Sequence, residues 1–243
     1  MPTAVITGAS AGLGRALALA LSEQGWNLAV DARRPDRLFR LADQLGGATR
    51  LRAIAGDVGD SGHRRELLAA AEEFGSLDLL VNNASTLGPS PLPALAELTA
   101  EQLEAILHTN VVAPLALIRL ALPALAATGG TVLNLSSDAA VAHYPGWGGY
   151  GCAKAALDHL SATLAVEQPE LRCYSFDPGD LRTELHQAAF PGEDISDRPD
   201  PEAVLPALLR LIERRPPSGR YTSGDPELSA AATENAVAEE LSR

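Results

Sequence analysis

Short β-type runs alternate with longer helical patterns along the chain, and this alternation restricts the fold more than any other feature of the sequence. Thr3–Thr7 (TAVIT) and Leu77–Val81 (LDLLV) have the length and apolar content of buried strands, whereas Gly12–Gln24 carries its leucines at helical spacing. Strands that alternate with helices in this way are typical of a parallel sheet with helices on both faces. The sequence therefore predicts an α/β fold.

The predicted elements follow one another without a change in composition. The strands are Thr3–Thr7, Asn27–Asp31, Leu51–Ala55, Leu77–Val81, Thr131–Leu135, Leu171–Phe176 and a short seventh strand at Arg220–Thr222. The helices are Gly12–Gln24, Pro35–Leu45, a segment that ends at Phe74, a helical pair over Thr99–Ala127, and Gly149–Glu167. We find no linker and no repeat, so residues 1–243 are predicted to form one domain around a sheet of about seven strands.

Two segments do not follow this alternation. Residues 184–200 are rich in Pro, Gly and Asp, which predicts a mobile flap over a substrate site. Residues 225–243 are polar and rich in Ala and Glu, which predicts a tail or a peripheral helix.

Composition and charge argue against several classes of function. The formal net charge of −12 argues against a nucleic-acid-binding protein, since affinity for phosphates requires clustered Lys and Arg. The first residues lack the basic and apolar regions of a signal peptide, and no uninterrupted apolar run reaches the ~18 residues of a membrane helix. Cys152 and Cys173, like His63, His108 and His159, lack the spacing of a metal site. We therefore expect a cytoplasmic protein with no metal and with no membrane or nucleic-acid partner.

Three glycines follow the first predicted strand directly. Gly8, Gly12 and Gly14 lie in the run TGASAGLG, which opens the first helix. Glycine permits positive φ and close approach of a ligand to the backbone, and the free N–H groups of a helix N-terminus attract phosphate. A strand before the loop and a helix after it favour a dinucleotide site over a tight turn without a ligand.

Tyr150 and Lys154 are four residues apart at the start of an apolar helix, so they lie on one helical face. A free tyrosine has a pKa of about 10, and a nearby positive charge lowers that pKa by favouring the phenolate. Such a phenol can donate a proton to a carbonyl or remove one from an alcohol. The pair alone is frequent on helix surfaces, and its neighbours decide between the two interpretations.

Five motifs in chain order resemble the single-domain branch of the short-chain dehydrogenase/reductase family, over about residues 3–224. They are TGASAGLG in the glycine loop, GDV at 56–58, NNAS at 82–85, Ser136-Ser137 followed by Tyr150-x-x-x-Lys154, and DPGDLRT at 177–183. Ser85 departs from the family pattern, which has glycine at this position. The resemblance implies a Rossmann-type doubly wound sheet and an enzyme that transfers a hydride between a nicotinamide cofactor and a carbonyl or alcohol.

The resemblance also implies roles for individual residues. The implied catalytic residues are Asn110, Ser137, Tyr150 and Lys154. The implied cofactor-binding residues are Gly8, Ser10, Gly12, Leu13, Gly14, Arg33, Arg34, Asp57, Val58, Asn83, Ala84, Tyr150, Lys154, Pro178, Gly179 and Thr183. Ser137 would hold the substrate oxygen, a role for which Ser136 is the alternative. Asn110 would hold a water linked to Lys154, unless it only shapes a helix bend.

The end of the second predicted strand indicates which cofactor is preferred. An acidic residue there binds the ribose 2′-hydroxyl of NAD, whereas an arginine accommodates the 2′-phosphate of NADP. Counted from Gly25, Ala32 aligns with the family's discriminating position and Arg33 with its phosphate-binding arginine, so NADP(H) is expected. A register shifted by one residue would place Asp31 there and favour NAD(H). The alternative for Arg33 and Arg34 is a solvated approach to the next helix.

Several residues between and beyond these motifs are candidates for the substrate pocket. His143, Tyr144 and Trp147 lie in a loop before Tyr150, where they form either a pocket wall or simple loop packing. His186 follows the last motif; it either faces the substrate from the flap or is exposed, and we expect the second.

Two other functions fit parts of the sequence. A non-catalytic NAD(P)-binding sensor or regulator would keep the fold, but it has no need for all four catalytic residues. An epimerase or dehydratase of the extended branch shares the tyrosine and lysine, but it carries a G-x-x-G-x-x-G loop and a separate substrate domain. The resemblance further implies a homodimer or homotetramer, with the predicted helices at 99–127 and 149–167 packed against their copies.

Overall fold

The computed structural model describes residues 1–45 and 50–229, and seven strands within them form one parallel sheet. The strands are β1 (Thr3–Ile6), β2 (Asn27–Ala32), β3 (Leu51–Ala55), β4 (Leu79–Asn82), β5 (Thr131–Leu135), β6 (Arg172–Asp177) and β7 (Gly219–Thr222). Their order across the sheet is β3-β2-β1-β4-β5-β6-β7. The direction of the order reverses at β1, which pairs with β2 on one side and β4 on the other. A ligand crevice forms at such a reversal, outside the carboxyl ends of the strands.

The α-helices of the described residues cover both faces of this sheet. They are α1 (Gly12–Glu23), α2 (Pro35–Gln44), α3 (Ser61–Glu72), α4 (Ala100–Leu107), α5 (Ala113–Thr128), α6 (Gly148–Glu167), α7 (Glu184–Ala189) and α8 (Leu205–Arg214). Successive side chains of β1 enter opposite cores: Ala4 and Ile6 pack on one face and Val5 on the other. Burial of each Val, Leu or Ile side chain contributes about 1.5–3 kcal/mol. The predicted doubly wound α/β fold is confirmed.

The sequence analysis did not predict α7 or α8. α8 has a buried apolar face that includes Leu208 and Leu211, and Pro206 lies in its first turn, where a proline costs no helical hydrogen bond. The surrounding prolines obscured this amphipathic pattern. α7 occupies the start of the segment for which we predicted an irregular flap. Residues 230–243 of the predicted tail lie outside the described residues.

A π-helical turn at His108–Val112 joins α4 and α5 into one helix over Ala100–Thr128. Among the described residues, this is the one helix long and apolar enough to cross a membrane by length and composition alone. The count of uninterrupted apolar residues missed it, because Asn110 and Arg119 interrupt the run. The core helix of a globular domain passes the same test, and Leu117 and Leu125 of this helix are buried against the sheet.

A buried polar network fixes the position of α6 relative to the crevice. Asn82 Nδ2 donates to Asn134 Oδ1 (2.7 Å), and Asn134 Nδ2 donates to Ser161 Oγ (2.8 Å). These side chains join β4, β5 and α6, and all three are buried. Because an unsatisfied amide in this position would cost about 1–3 kcal/mol, the network specifies one register between the helix and the sheet. The first turns of α6 consequently face the carboxyl ends of the strands.

Candidate active site

One large cleft of about 950 Å³ opens at the carboxyl ends of the strands. At one end it is bordered by Arg33 and Arg34, which follow β2, and at the other by Tyr144, Trp147 and Phe190. The glycine loop and the residues after β4, β5 and β6 form its walls. Most residues implied by the family motifs line it: Gly8, Ser10, Gly12, Leu13, Arg33, Arg34, Asp57, Val58, Asn83, Ala84, Ser137, Tyr150, Lys154, Pro178, Gly179 and Thr183.

The glycine loop presents the N-terminus of α1 to this cleft. Gly8 and Gly12 have positive φ (67° and 54°), which a residue with a side chain adopts only with strain. Ala11, at the N-cap, offers no side-chain oxygen, and the first turn of α1 contains no acidic residue. The N–H groups of this turn and the helix dipole are thus available to an anion. A dinucleotide pyrophosphate fits this arrangement.

Gly14 and Asn110 do not line the cleft, in contrast to the other implied residues. A Cβ atom on Gly14 would lie 2.3 Å from Asn83 Nδ2, so glycine is required there for packing. Asn83 in turn donates to the carbonyl oxygens of Thr7 (2.8 Å) and Gly8 (3.2 Å). Gly14 therefore acts on the cleft indirectly, because it lets Asn83 brace the loop.

Asp31 lines the cleft at the end of β2, but both of its carboxylate oxygens are engaged by the protein. Its Oδ1 accepts a hydrogen bond from the Gly8 amide (2.7 Å), and its Oδ2 lies 2.9 Å from Nε2 of the buried His63. The hydrogen bond to Asp31 is the main reason why the pKa of His63 is raised. Both carboxylate oxygens of Asp31 are thus engaged beneath the glycine loop, and its side chain is almost completely buried.

The two arginines after β2 differ in their contacts. Arg34 forms an ion pair with Glu184 of α7 (2.6 Å), which also binds Arg37, and these two arginines lower the pKa of Glu184. Arg33 is exposed at the mouth of the cleft and makes no ion pair with a described residue. The guanidinium of Arg33 is therefore the cation at this end that is available to a ligand.

Tyr150 and Lys154 are both buried at the inner end of the cleft. Lys154 Nζ donates to the carbonyl oxygen of Leu135 (2.6 Å) and lies 5.4 Å from the centre of the Tyr150 ring. Burial lowers the pKa of Lys154 to about 8 and raises the pKa of Tyr150 well above its usual value. We predicted that Lys154 would lower the pKa of Tyr150. In the chain alone the net shift of the Tyr150 pKa is upward, because desolvation of the phenolate is its largest cause.

Two hydroxyl groups oppose this effect of burial. Hydrogen bonding by Ser85, and to a lesser degree by Ser137, lowers the pKa of Tyr150. While the phenol is protonated, Ser85 Oγ donates its one proton to Asn110 Oδ1 (3.3 Å), and the Asn110 side chain holds the backbone of Thr86 through two further bonds. Asn110 thus braces the loop that carries Ser85 against Tyr150. From the sequence, Ser85 is only a departure from the glycine of the family pattern, and its contacts with Tyr150 and Asn110 were not predicted.

Ser137 carries the hydroxyl that faces the cleft beside Tyr150. Its Oγ donates to Asp138 Oδ1 (2.9 Å) and accepts from the Ala139 amide (3.2 Å). Ser136, the alternative, is more deeply buried, and its Oγ has no hydrogen-bond partner among the described residues. The geometry favours Ser137 as the group that contacts a substrate oxygen.

Three of the four remaining candidates line the cleft. Tyr144 and Trp147 line it, whereas His143 does not. His186 also lines it, and its side chain is only 10% exposed, which corrects our expectation of an exposed histidine. The N-terminus of α7 is capped by Thr183, which places this histidine over the cleft. No group of three or more His, Cys, Asp or Glu in the described part of the chain has the arrangement of a metal site.

The chain is similar to known proteins in both sequence and structure. Residues 2–194 match the family described as short chain dehydrogenase. The chain is 38% identical to serine 3-dehydrogenase of Agrobacterium fabrum over 189 residues, or 75% of this chain and 73% of that protein. It is 36% identical to sepiapterin reductase of Meriones unguiculatus over 199 residues, 76% of each. An alcohol dehydrogenase of Thermococcus sibiricus, solved in complex with 5-hydroxy-NADP, is 29% identical with a TM-score of 0.82 over 91% of this chain and 95% of that chain.

The buried ammonium makes stability depend on pH in a way that Lys154→Met should remove. Between pH 8 and 10.5 the unfolded chain binds a proton at Lys154 that the folded chain has lost, so the stability of the parent rises with pH. We expect Lys154→Met to gain stability relative to the parent below pH 8, and about 3 kcal/mol of that gain to disappear by pH 10.5.

Urea unfolding at pH 7.5 and pH 10.5, without cofactor, measures this difference. Ser137→Ala is the matched control, since it changes the same cleft but removes no buried charge. A difference between Lys154→Met and the parent that is equal at both pH values contradicts the assignment of a buried, destabilising ammonium.

Proposed function

Because the chain belongs to the short-chain dehydrogenase family, we propose that it transfers a hydride between NADP(H) and a small carbonyl or alcohol substrate through Ser137, Tyr150, Lys154 and Asn110. The main support for this proposal is the composition of the cleft. Ser137, Tyr150 and Lys154 converge on a single cleft that begins at an uncapped helix N-terminus and ends in apolar and aromatic side chains. Such a cleft accommodates a dinucleotide and a small substrate end to end.

The residues present fit a nicotinamide dinucleotide. The first turn of α1 would hold the pyrophosphate, Asp57 and Val58 the adenine, and Pro178, Gly179 and Thr183 the carboxamide. Thr183 lies across the cleft from the glycine loop, since a Cβ on Gly12 would be 3.3 Å from Thr183 Cγ2. When bound, the cofactor supplies or accepts the hydride.

The contacts of Asp31 and Arg33 support NADP(H) over NAD(H). Discrimination against the 2′-phosphate requires a carboxylate that is free to bind the ribose hydroxyls. Asp31 lines the cleft, but its carboxylate is already bonded to Gly8 and His63, so ribose hydroxyls would have to compete with these partners. Arg33 is exposed there without an ion pair to a described residue, and a phosphate group would satisfy it.

The proton in this reaction moves at Tyr150 Oη. With a carbonyl substrate Tyr150 donates the proton, and with an alcohol it accepts the hydroxyl proton. The raised pKa keeps the phenol protonated at neutral pH, which suits donation to a carbonyl. Ser137 Oγ orients the substrate oxygen, and Lys154 Nζ, fixed by the Leu135 carbonyl, places a positive charge beside the phenol when that phenol loses its proton.

A non-catalytic sensor is the alternative function. The glycine loop and Arg33 would bind a cofactor equally well in a sensor. A sensor gives no reason, however, for burying an ammonium and a phenol side by side, since burial of Lys154 lowers its pKa and costs stability. Turnover therefore explains more of the structure than binding alone.

Arg33→Ala tests the cofactor assignment. We expect the parent to bind NADPH more tightly than NADH, because the guanidinium and the 2′-phosphate form a charge-assisted bond of about 1.5–3 kcal/mol. The variant should lose about 10- to 100-fold in NADPH affinity and keep its affinity for NADH. Fluorescence titration measures both. Arg40→Ala is the control, since Arg40 is exposed and pairs with Asp36 outside the cleft. Tighter NADH binding by the parent would instead favour the register in which Asp31 discriminates.

Ser85→Gly tests the proton transfer. Loss of the Ser85 hydrogen bond should raise the pKa of Tyr150, so the pH at which alcohol oxidation reaches half its maximal rate should rise by about one unit or less. KM should change little, and Ser85→Thr should restore the parent profile.

Tyr150→Phe should lower kcat by at least about 100-fold and leave NADPH binding intact. An unchanged profile in Ser85→Gly, or a fully active Tyr150→Phe, contradicts the mechanism.

The outer face of the long helix supports self-association. Val112, Leu115 and Leu120 are exposed on the helix over Ala100–Thr128, and Val166 is exposed near the end of α6. We propose that a second copy of the chain covers these side chains, giving a homodimer or homotetramer. Light scattering should give a mass at least twice that of the chain, and Leu115→Arg with Leu120→Glu should reduce it to one chain. Leu95→Glu, at an exposed leucine elsewhere, should not. A monomeric parent contradicts the proposal.

A further inference from the structure

Asp138 lies directly beside the hydroxyl that contacts the substrate oxygen. Its carboxylate accepts from Ser137 Oγ through Oδ1 (2.9 Å) and from Tyr144 Oη through Oδ2 (2.8 Å). Asp138 lines the same cleft as Ser137 and Tyr150, and it forms no ion pair with a described residue. An acid in this position restricts what Ser137 can offer a substrate.

Ser137 has one hydroxyl proton, and Asp138 holds it. Ser137 Oγ also accepts from the Ala139 amide, so one lone pair remains for other partners. A carbonyl or alcohol oxygen that needs a hydrogen bond from Ser137 must therefore compete with a carboxylate for the proton. Carboxylates are the stronger acceptors, so a neutral substrate is at a disadvantage.

A substrate with a cationic group next to its reacting carbon removes this competition. An ammonium on the adjacent carbon, gauche to the reacting oxygen, would lie close to that oxygen and hence close to Asp138. It would give the carboxylate a charged donor in place of Ser137. The Ser137 hydroxyl would then be free to donate to the substrate oxygen.

The surroundings of Asp138 also favour a cation. Two arginines that contact residues around this end are each engaged by two aspartates: Arg220 by Asp158 and Asp177, and Arg198 by Asp180 and Asp197. Lys154 is buried deeper in the cleft and donates to the Leu135 carbonyl, and Asp138 forms no ion pair with a described residue.

Aromatic side chains complete this end of the cleft. The rings of Trp147 and Phe190 lie 6.2 Å apart, and such rings stabilise an ammonium over their faces. His186 packs against Phe190, and its Nε2 has no hydrogen-bond partner among the described residues. This end of the cleft therefore offers negative charge and ring faces, and the two arginines beside it are engaged by aspartates.

We propose that Asp138 determines specificity by selecting substrates with an ammonium group on the carbon next to the reacting one, that is, 1,2-amino alcohols and α-amino carbonyl compounds. This proposal rests on the proposed function, since it takes Ser137 and Tyr150 as the groups that hold the reacting oxygen. The ammonium binds and orients the substrate and takes no part in the proton or hydride transfer.

Calorimetry of the protein saturated with NADP⁺ tests the proposal. The probes are 1-amino-2-propanol, its neutral counterpart 1,2-propanediol, and lactate as the anionic counterpart, at pH 7. We expect the amine to bind at least about tenfold more tightly than the diol, and lactate to bind most weakly. Asp138→Asn, which keeps the shape of the side chain, should bring amine and diol to within about twofold of each other. The ratio of their kcat/KM values should change in parallel.

Asp180→Asn is the matched control, because Asp180 lies at the same end of the cleft but makes no hydrogen bond to Ser137. It should keep the preference of the parent for the amine. Equal binding of amine and diol by a parent that oxidises the diol overturns the role of Asp138 and leaves the proposed function standing. A preference for the amine that persists in Asp138→Asn likewise overturns the role of Asp138 and leaves the proposed function standing. A parent that binds no nicotinamide cofactor overturns both.

Discussion

The hydrogen bond from the Gly8 amide to the buried carboxylate of Asp31 holds the glycine loop in place, and the rest of the cleft depends on it. Gly8 has a positive φ, and its amide would otherwise lack a partner at the end of β1. His63 holds the other carboxylate oxygen, so a rotation of the Asp31 side chain would leave the Gly8 amide and His63 without this partner. The same contact therefore shapes the glycine loop and engages Asp31, which leaves Arg33 as the charged group at this end of the cleft without an ion pair to a described residue.

At the inner end of the cleft, two ionisable groups that suit proton transfer are buried at a cost in stability. Lys154 is the only lysine in the chain, and it is completely buried beside Tyr150. Burial makes the charged forms of both residues less favourable, as their pKa shifts show. Natural proteins keep such groups where a reaction needs them. The hydroxyls of Ser85 and Ser137 and the carbonyl of Leu135 supply the partners that make this burial tolerable.

Much of this arrangement could be predicted from the sequence. The alternation of strands and helices gave the sheet, and each motif lies after its own strand because the carboxyl ends of parallel strands meet at one edge. α8 was missed because prolines are typical of loops, although a proline in the first helical turn costs no helical hydrogen bond.

The contacts within the site were harder to predict, because they join residues that are distant in sequence. Asp31 and His63 are 32 positions apart, and nothing in either segment shows that they touch. The pKa of Tyr150 depends mainly on burial, which residue spacing does not reveal, so the net direction of its shift was not predicted. Gly14 and Asn110 belong to the expected motifs, but packing places them behind the cleft and not in its wall.

A crystal structure of the protein with NADPH would show whether this cleft binds the cofactor through the glycine loop and Arg33. We expect difference density along the cleft, with the pyrophosphate at the first turn of α1, the 2′-phosphate at Arg33, and the nicotinamide ring between Thr183 and Tyr150. Asp31 should stay bonded to Gly8 and His63. Density for the nucleotide at another surface, or an Asp31 that turns to bind the ribose, would contradict this expectation.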